Sequence, residues 1–267
     1  MANKQARILS IAGSDPSGGA GLQADIKTIT ALGGFATSVV TALTVQNTRG
    51  VSAVQQIAPV FIKDQISAVL QDIGADAIKV GMIGSVEAAQ VVAETLKPYA
   101  DDIPIVVDPV LIATSGDRLA GDGMTQMLRD VFAPLAAVLT PNADEAGALT
   151  GRKISDRDDL IAAGLALLED GARYVLAKGA HLDGEMIEDF LIHPDGIEVY
   201  RNPRLTIGET HGTGCSLASA VATHLALGEN VETAVAKSID YVRQAIETAS
   251  GFGSGAIPLN HAWIVQS

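Results

Sequence analysis

Short apolar runs alternate with helical patterns along this chain of 267 residues, and that alternation limits the folds it can adopt. The runs are mostly continuous, as in strands that are buried on both faces. Strands separated by helices indicate a mostly parallel sheet with helices packed against it, an α/β fold. The predicted strands cover residues 8–12, 37–45, 77–80, 105–107, 136–139 and 174–177.

The predicted helices lie between and after these strands. One of them begins with a capping-box pattern from Ser155 to Asp158 and continues with an apolar stripe at Leu160, Ile161, Leu165 and Leu168. Residues 186–201 depart from the alternation, because two apolar runs flank Pro194-Asp195-Gly196 and predict a β-hairpin. The sequence contains no linker or repeat, so we expect one domain over residues 1–267. The predicted helices are 22–32, 60–73, 86–96, 124–131, 160–168, 212–227 and 231–249.

The composition argues against several classes of function. A formal net charge of −13 disfavours binding to nucleic acids or to anionic membranes. The single cysteine, Cys215, excludes a disulfide within the chain and fits a reducing compartment. The first residues do not form a signal-peptide core, and no apolar run approaches the roughly 20 residues of a membrane span. We therefore expect a cytoplasmic protein.

Polar or glycine-rich segments follow nearly every predicted strand. In parallel α/β sheets, ligands bind beyond the carboxyl ends of the strands. This convergence predicts a binding site at that edge of the sheet more strongly than any single motif does. The segments begin at Gly13, Gln46, Gly81, Asp108, Asn142 and Lys178.

A glycine-rich segment, residues 208–215, leads directly into a helix of small residues. Converging backbone N–H groups and the helix dipole favour binding of an anion, such as a phosphoryl group in transfer. A flexible turn before an ordinary helix is the equally weighted alternative. Cys215 lies close to the start of that helix, where the field lowers the pKa of a thiol. Taken alone, however, it is more often a small buried apolar residue.

Three further segments carry candidate phosphate or metal ligands. Asn142 and Glu145 suit Mg²⁺-bound water beside a triphosphate, although the same spacing is an ordinary helix cap, and the cap is the stronger reading without context. Lys178 suits a nucleotide phosphate, or simply reaches solvent from a strand end. Asp108 suits a position near Mg²⁺, or caps the turn at Pro109. All three pairs of interpretations stay open at this point.

The segment between the first strand and the first helix, residues 13–21, is rich in glycine. It lacks the G-K-[ST] ending of a Walker A loop and the dinucleotide spacing G-x-G-x-x-G, which weakens both of those readings. Glycines still allow a flat ligand to approach the backbone. Gln46, at another strand end, offers the donor and the acceptor that suit an aminopyrimidine edge, although surface amides are common.

Taken together, these motifs resemble the hydroxymethylpyrimidine/phosphomethylpyrimidine kinase family. The resemblance extends over nearly the whole chain in the expected order, and it includes the tail HAW at 261–263. The main motifs are AGSDPSGGAGLQAD at 12–25, TALTVQNT at 41–48, KVGM at 79–82, TPN at 140–142, KGAH at 178–181 and THGTGC at 210–215.

The resemblance implies a ribokinase-like α/β/α sandwich, with Mg-ATP as cofactor. It implies phosphorylation of 4-amino-5-hydroxymethyl-2-methylpyrimidine and then of its monophosphate, by a homodimer. Cys215 would orient the substrate alcohol and act partly as a base. The pyrimidine pocket would comprise Gly13, Asp25, Gln46, Met82 and Val110; the anion hole would comprise Gly212, Thr213, Gly214 and Cys215; and the phosphate and Mg²⁺ region would comprise Lys178, Asn142, Glu145 and Asp108.

Two competing functions remain. Pyridoxal kinase shares the fold and the anion hole, and only its pocket differs. Some relatives that also accept pyridoxal carry a second cysteine in a lid, and the single Cys215 of this chain argues against that variant. A nucleotide-binding sensor without catalysis is the other alternative. It is disfavoured because every functional position that the resemblance implies is filled.

Overall fold

The computed structural model describes residues 5–111 and 123–266, in which a nine-stranded sheet is flanked by helices. The strand order is β3-β2-β1-β4-β5-β6-β7-β8-β9. The strands are β1 Arg7–Ser14, β2 Phe35–Asn47, β3 Gly50–Gln56, β4 Ala77–Val80, β5 Ile105–Val107, β6 Val138–Leu139, β7 Val175–Ala177, β8 Met186–His193 and β9 Gly196–Pro203; a separate parallel pair is formed by β10 Thr210–His211 and β11 Ile257–Pro258.

The six strands from β2 to β7 in this order, β2-β1-β4-β5-β6-β7, are parallel, while β3, β8 and β9 run antiparallel to their neighbours. The helices cover both faces. They are α1 Gly21–Ala31, α2 Pro59–Asp72, α3 Val86–Leu96, α4 Met124–Met127, α5 Ala133–Leu135, α6 Ala143–Thr150, α7 Arg157–Glu169, α8 Thr213–Ala226, α9 Val231–Glu247 and α10 Trp263–Gln266, with a 3₁₀ turn at Lys97–Tyr99 and a π-helical turn at Leu128–Phe132.

Two hydrophobic cores lie on opposite faces of the sheet, because successive strand side chains point in opposite directions. Ile105 and Val107 belong to the core that contains α2, α3, α6 and α7. Val106, between them, belongs to the core that contains α8 and α9. The sheet is therefore buried on both faces, and the predicted three-layer α/β/α sandwich is confirmed.

The structure departs from the expected elements at β3 and at the helix 124–131. Strand β3 was not predicted, because it is a largely exposed edge strand without a continuous apolar run. The predicted helix 124–131 is broken by the π-helical turn and extends to Leu135. The expected hairpin is confirmed: β8 and β9 pair throughout their length, and Gly196 opposes His193 at the turn.

The start and the buried face of α7 also differ from the expectation. Asp156, not Ser155, is the N-cap, because its carboxylate accepts hydrogen bonds from the N–H groups of Asp158 and Asp159. The buried face contains Ala163 and Gly164, whereas Leu165 of the predicted stripe is 42% exposed. A Cβ at position 164 would lie 2.2 Å from Cδ1 of Ile192, so a small residue allows the helix to approach β8 closely. Among the described residues, no helix is long and apolar enough to cross a membrane.

Candidate active site

A cavity of about 730 Å³ lies at the carboxyl ends of the parallel strands, where the sequence predicts a binding site. Segments that follow six of the strands contribute to its wall, together with the first turn of α8. Of the residues proposed from the sequence, those lining the cavity are Gly13, Gln46, Met82, Asp108, Val110, Asn142, Glu145, Lys178, Gly212, Thr213, Gly214 and Cys215.

The glycine-rich turn before α8 is shaped by close contacts with the loop that follows β1. Gly212 has a φ of 86°, and a Cβ there would lie only 1.8 Å from the carbonyl oxygen of Gly19, so this position requires glycine. Helix α8 begins at Thr213, and the first N–H groups of a helix have no partner within it. These donors and the positive end of the helix dipole favour the binding of an anion at the cavity wall, and we call residues 212–215 the anion-binding turn.

The thiol of Cys215 lies in this wall, but its acidity differs from the expectation. Burial, together with the carboxylates of Asp108 and Asp25, raises the pKa of Cys215 to about 11. The nearby Lys79 ammonium and the backbone N–H of Gly21 act in the opposite direction but do not compensate. The expected lowered pKa is therefore wrong, because desolvation and negative neighbours outweigh the helix terminus. Near neutral pH the sulfur is a neutral thiol.

Lys178, Asp108 and Glu145 form a partly buried charge cluster beside the anion-binding turn. Lys178 Nζ lies 3.2 Å from Asp108 Oδ1 and 4.0 Å from Glu145 Oε2. Burial by itself lowers the pKa of Lys178, but the two carboxylates outweigh burial and raise it, so the side chain is an ammonium. A Cβ on Gly214 would lie 3.3 Å from Lys178 Nζ, which places the cation directly against the anion-binding turn.

Glu145 caps a helix and also lines the cavity. With Asn142 it forms a complete capping box at α6: Asn142 N–H donates to Glu145 Oε2, and Glu145 N–H donates to Asn142 Oδ1. Burial nevertheless raises the pKa of this carboxyl to about 7, although Lys178 opposes the rise. Because Glu145 and Asp108 supply hard oxygen donors at one side of the cavity, the pair fits a divalent cation of the Mg²⁺ type.

Comparison with known proteins identifies the family of the chain. A family model described as phosphomethylpyrimidine kinase matches residues 15–260. The chain belongs to this family. It is therefore a phosphotransferase with a ribokinase-like fold.

Relatives in this family share about two fifths of the sequence. The hydroxymethylpyrimidine/phosphomethylpyrimidine kinase of Streptomyces coelicolor is 43% identical over 96% of this chain and 94% of its own length. The enzyme of the same name from Escherichia coli is 38% identical over 97% and 99%. A thiamine biosynthesis bifunctional protein of Geobacter sulfurreducens is 44% identical over 95% of this chain, which spans only 52% of that longer protein.

Solved structures of family members and of pyridoxal kinases have the same fold. A phosphomethylpyrimidine kinase from Clostridium difficile has a TM-score of 0.81 at 42% identity, covering 91% of this chain and 100% of that one. An ADP complex of Bacillus subtilis pyridoxal kinase has a TM-score of 0.90 at 31% identity, covering 99% and 100%. A Staphylococcus aureus pyridoxal kinase bound to AMP-PCP and pyridoxal has a TM-score of 0.87 at 30% identity, covering 96% and 94%.

One residue that was expected in the pyrimidine pocket lies outside the cavity. Asp25 does not line the cavity: it is fully buried, and both of its oxygens lie 2.9 Å from the ammonium of Lys79. Ser10 and Ser219 donate further hydrogen bonds to the same carboxylate. The remaining expected pocket residues, including Gln46 and Met82, do reach the cavity.

The sequence analysis assigned no role to Asp15, His211 or Lys79. His211 Nε2 lies 2.9 Å from Asp15 Oδ2 and 3.2 Å from the amide nitrogen of Gln46, so His211, Asp15 and Gln46 form one polar group at the pocket. Lys79 lies behind the cavity. Its signal was a lysine inside the otherwise apolar strand 77–80, since a charge there needs a buried partner.

Proposed function

We propose that the protein transfers the γ-phosphoryl group of ATP to the hydroxymethyl oxygen of 4-amino-5-hydroxymethyl-2-methylpyrimidine, and then phosphorylates the resulting monophosphate. The observation that carries this proposal is that one cavity joins the anion-binding turn, the ammonium of Lys178 and the amide of Gln46. The names of the relatives support the pyrimidine substrate. The ADP and AMP-PCP complexes of similar kinases support a nucleotide as the phosphoryl donor.

Phosphoryl transfer needs little covalent help from the protein, and positioning and electrostatic stabilisation dominate. The alcohol oxygen forms a bond to the γ-phosphorus, the bond between that phosphorus and the oxygen of ADP breaks, ADP leaves, and the alcohol proton passes to solvent. In the second reaction a phosphate oxygen of the monophosphate attacks in place of the alcohol oxygen. Backbone N–H groups from Thr213 to Cys215 would stabilise the charge on the transferring oxygens, with Lys178 beside them. Cys215, as a neutral thiol, would hydrogen-bond the alcohol and orient it rather than remove its proton at the outset.

Asp108 and Glu145 would hold Mg²⁺, the cofactor expected with ATP. When bound, the ion neutralises charge on the phosphates during transfer. Glu145 would have to give up its proton in this role, because a cation binds the carboxylate form. Asn142 would keep that carboxylate in place through the capping box.

Gln46 is the residue that we assign to recognition of the pyrimidine. Its amide can accept a hydrogen bond from the exocyclic amino group and donate one to a ring nitrogen. A position beside His211 and Thr44, whose hydroxyl lies 3.0 Å from Gln46 Oε1, limits how the amide can rotate.

We keep the single domain, the homodimer and the cytoplasmic location as predictions from the sequence.

Pyridoxal phosphorylation is the second candidate function, because the pyridoxal kinases of two organisms match this fold with TM-scores of 0.87 and 0.90. The decisive experiment measures ADP release with the pyrimidine alcohol, its monophosphate and pyridoxal side by side. We expect turnover of both pyrimidines and a much lower kcat/KM for pyridoxal. Lys178→Met is the control for contaminating kinases. A preference for pyridoxal would refute the proposed substrate, and nucleotide binding without any turnover would favour the sensor.

A further inference from the structure

A buried ion pair lies behind the cavity and is not used in the mechanism above. Lys79 on β4 and Asp25 on α1 are both fully buried, and Lys79 Nζ lies 2.9 Å from each carboxylate oxygen of Asp25. Burial alone lowers the pKa of Lys79, but Asp25 outweighs this and raises it. Lys79 is therefore held as an ammonium against the oxygens of Asp25.

Two serines complete the hydrogen bonding of Asp25. Ser10 Oγ on β1 donates to Asp25 Oδ2 at 2.6 Å, and Ser219 Oγ on α8 donates to Asp25 Oδ1 at 2.7 Å. A carboxylate accepts about four hydrogen bonds, so these two serines and the lysine use its full capacity. One carboxylate thus links four separate elements, namely α1, β1, β4 and α8.

Each member of this cluster lies three or four residues from a residue of the site. Ser10 precedes Gly13 on β1, and Lys79 precedes Met82 after β4; Gly13 N–H donates to the Met82 carbonyl at 3.1 Å, so those two turns are also joined directly. Ser219 lies one helical turn beyond Cys215, on the same side of α8. Asp25 lies one turn beyond Gly21, whose backbone N–H contacts the thiol of Cys215.

Stability alone does not explain such a pair. Well-packed apolar residues of similar volume are often as stable as a buried ion pair, or more stable, because desolvation offsets the attraction between the charges. An ion pair with fixed hydrogen bonds constrains the relative positions of the segments that carry it, whereas an apolar contact allows them to slide. The segments constrained here are the ones whose ends form the anion hole and the pocket.

We infer that Lys79 and Asp25 are positioning residues, which hold the first turn of α8 in register with the turns after β1 and β4 for phosphoryl transfer. Neither residue lines the cavity. Phosphoryl transfer depends on alignment, and a misplacement of about 1 Å can reduce a rate on the order of a hundredfold. Loss of the pair is expected to lower kcat more than it weakens binding, because the anion hole acts on the transition state.

The test replaces both charges at once, with Lys79→Met and Asp25→Leu in one chain, so that no buried charge is left unpaired. We expect a thermal unfolding temperature close to that of the original protein, a kcat for the pyrimidine alcohol at least about tenfold lower, and little change in KM. The matched control is Arg7→Met with Asp76→Leu, since Arg7 at the start of β1 pairs with Asp76 just before β4, with Nε 2.9 Å from Oδ2. Ser219→Ala, which keeps the ion pair, is the second variant and should lower kcat to a smaller degree.

The turnover assay rests on the proposed function. A second measurement, hydrogen exchange, does not depend on it. Hydrogen exchange of the backbone amides from 216 to 219, the first that are hydrogen-bonded within α8, should become at least about tenfold faster in the double variant and should not change in the control. If the original protein fails to phosphorylate the pyrimidine, the proposed function fails while the exchange result still decides the inference. Unchanged exchange in the double variant, or unchanged kcat in a folded one, would overturn it; Ser219→Ala decides in the same way should the double variant not fold.

Discussion

Glu145→Gln is the perturbation for which the structure gives the sharpest expectation. The substitution keeps the shape of the side chain and its capacity to accept a hydrogen bond from Asn142 N–H, so the helix cap can persist. It removes a carboxyl whose pKa burial raises from an ordinary 4.5 to about 7. Lys178 keeps its partner Asp108 at 3.2 Å, so no cation is left without a carboxylate.

The sign of the stability effect follows from that raised pKa. Between pH 4.5 and about 7 the folded state holds a proton that the unfolded state has lost, so this group makes the protein less stable as pH rises. Below pH 4.5 both states are protonated, and the contribution of the group vanishes. At about 1.4 kcal/mol per pH unit, the free energy of unfolding should fall by about 2–3 kcal/mol between pH 5 and pH 8 because of Glu145 alone.

Urea unfolding of both proteins at pH 5, 6, 7 and 8, without nucleotide or metal, measures this difference. The variant should gain about 2–3 kcal/mol relative to the original protein across that range. Asp158→Asn is the control, because it makes the same charge change at an exposed position in the first turn of α7. Parallel pH profiles for Glu145→Gln and the original protein would refute the argument. If Glu145 also holds Mg²⁺, the stabilised variant should still lose kcat.

Four further substitutions test the site. Cys215→Ser should keep measurable activity. Gly214→Val should nearly abolish activity, because a Cβ at 214 would lie 3.3 Å from the ammonium of Lys178. If both variants are folded by circular dichroism and the valine variant is the more active, the thiol is the main catalytic group. Gln46→Ala should cost about 1–3 kcal/mol in kcat/KM for the pyrimidine, and normal turnover would contradict its assignment. Gly19→Ala should raise KM for the pyrimidine, since its Cβ would lie 2.4 Å from the His211 ring; an unchanged KM would show that the ring can shift freely.

Alkylation gives an independent check on Cys215. With a pKa of about 11, the thiol should react slowly with iodoacetamide at pH 7 and increasingly fast as the pH rises towards 11. Mass spectrometry of the modified protein measures the rate, and ATP with substrate should protect. Rapid alkylation that is complete and independent of pH above 7 would indicate a thiolate and contradict the neutral thiol.

Much of the site could be predicted because the strands are parallel. Their carboxyl ends meet at one edge of the sheet, so polar residues at strand ends such as Gln46, Asp108 and Lys178 converge without any knowledge of the loops. The role of Lys79, which lies inside a strand, could not be predicted in this way. A charge inside a four-residue apolar strand indicates a buried partner, but the partner, Asp25, lies 54 residues away in the chain, and the pattern does not identify it.

The fold class, the segments that form the binding edge and the glycines before α8 could be predicted from the sequence, because they depend on local periodicity and backbone freedom. Which side chains reach the cavity, and how they titrate, depends on contacts between distant segments and became visible in the folded chain. Cys215 shows the reason: the helix terminus that lowers the pKa of a thiol is local, whereas the burial and the carboxylates that raise it to about 11 come from distant segments. Asp25 shows the same for geometry, since its neighbours on β1, β4 and α8 occupy a carboxylate that the family resemblance placed in the pyrimidine pocket.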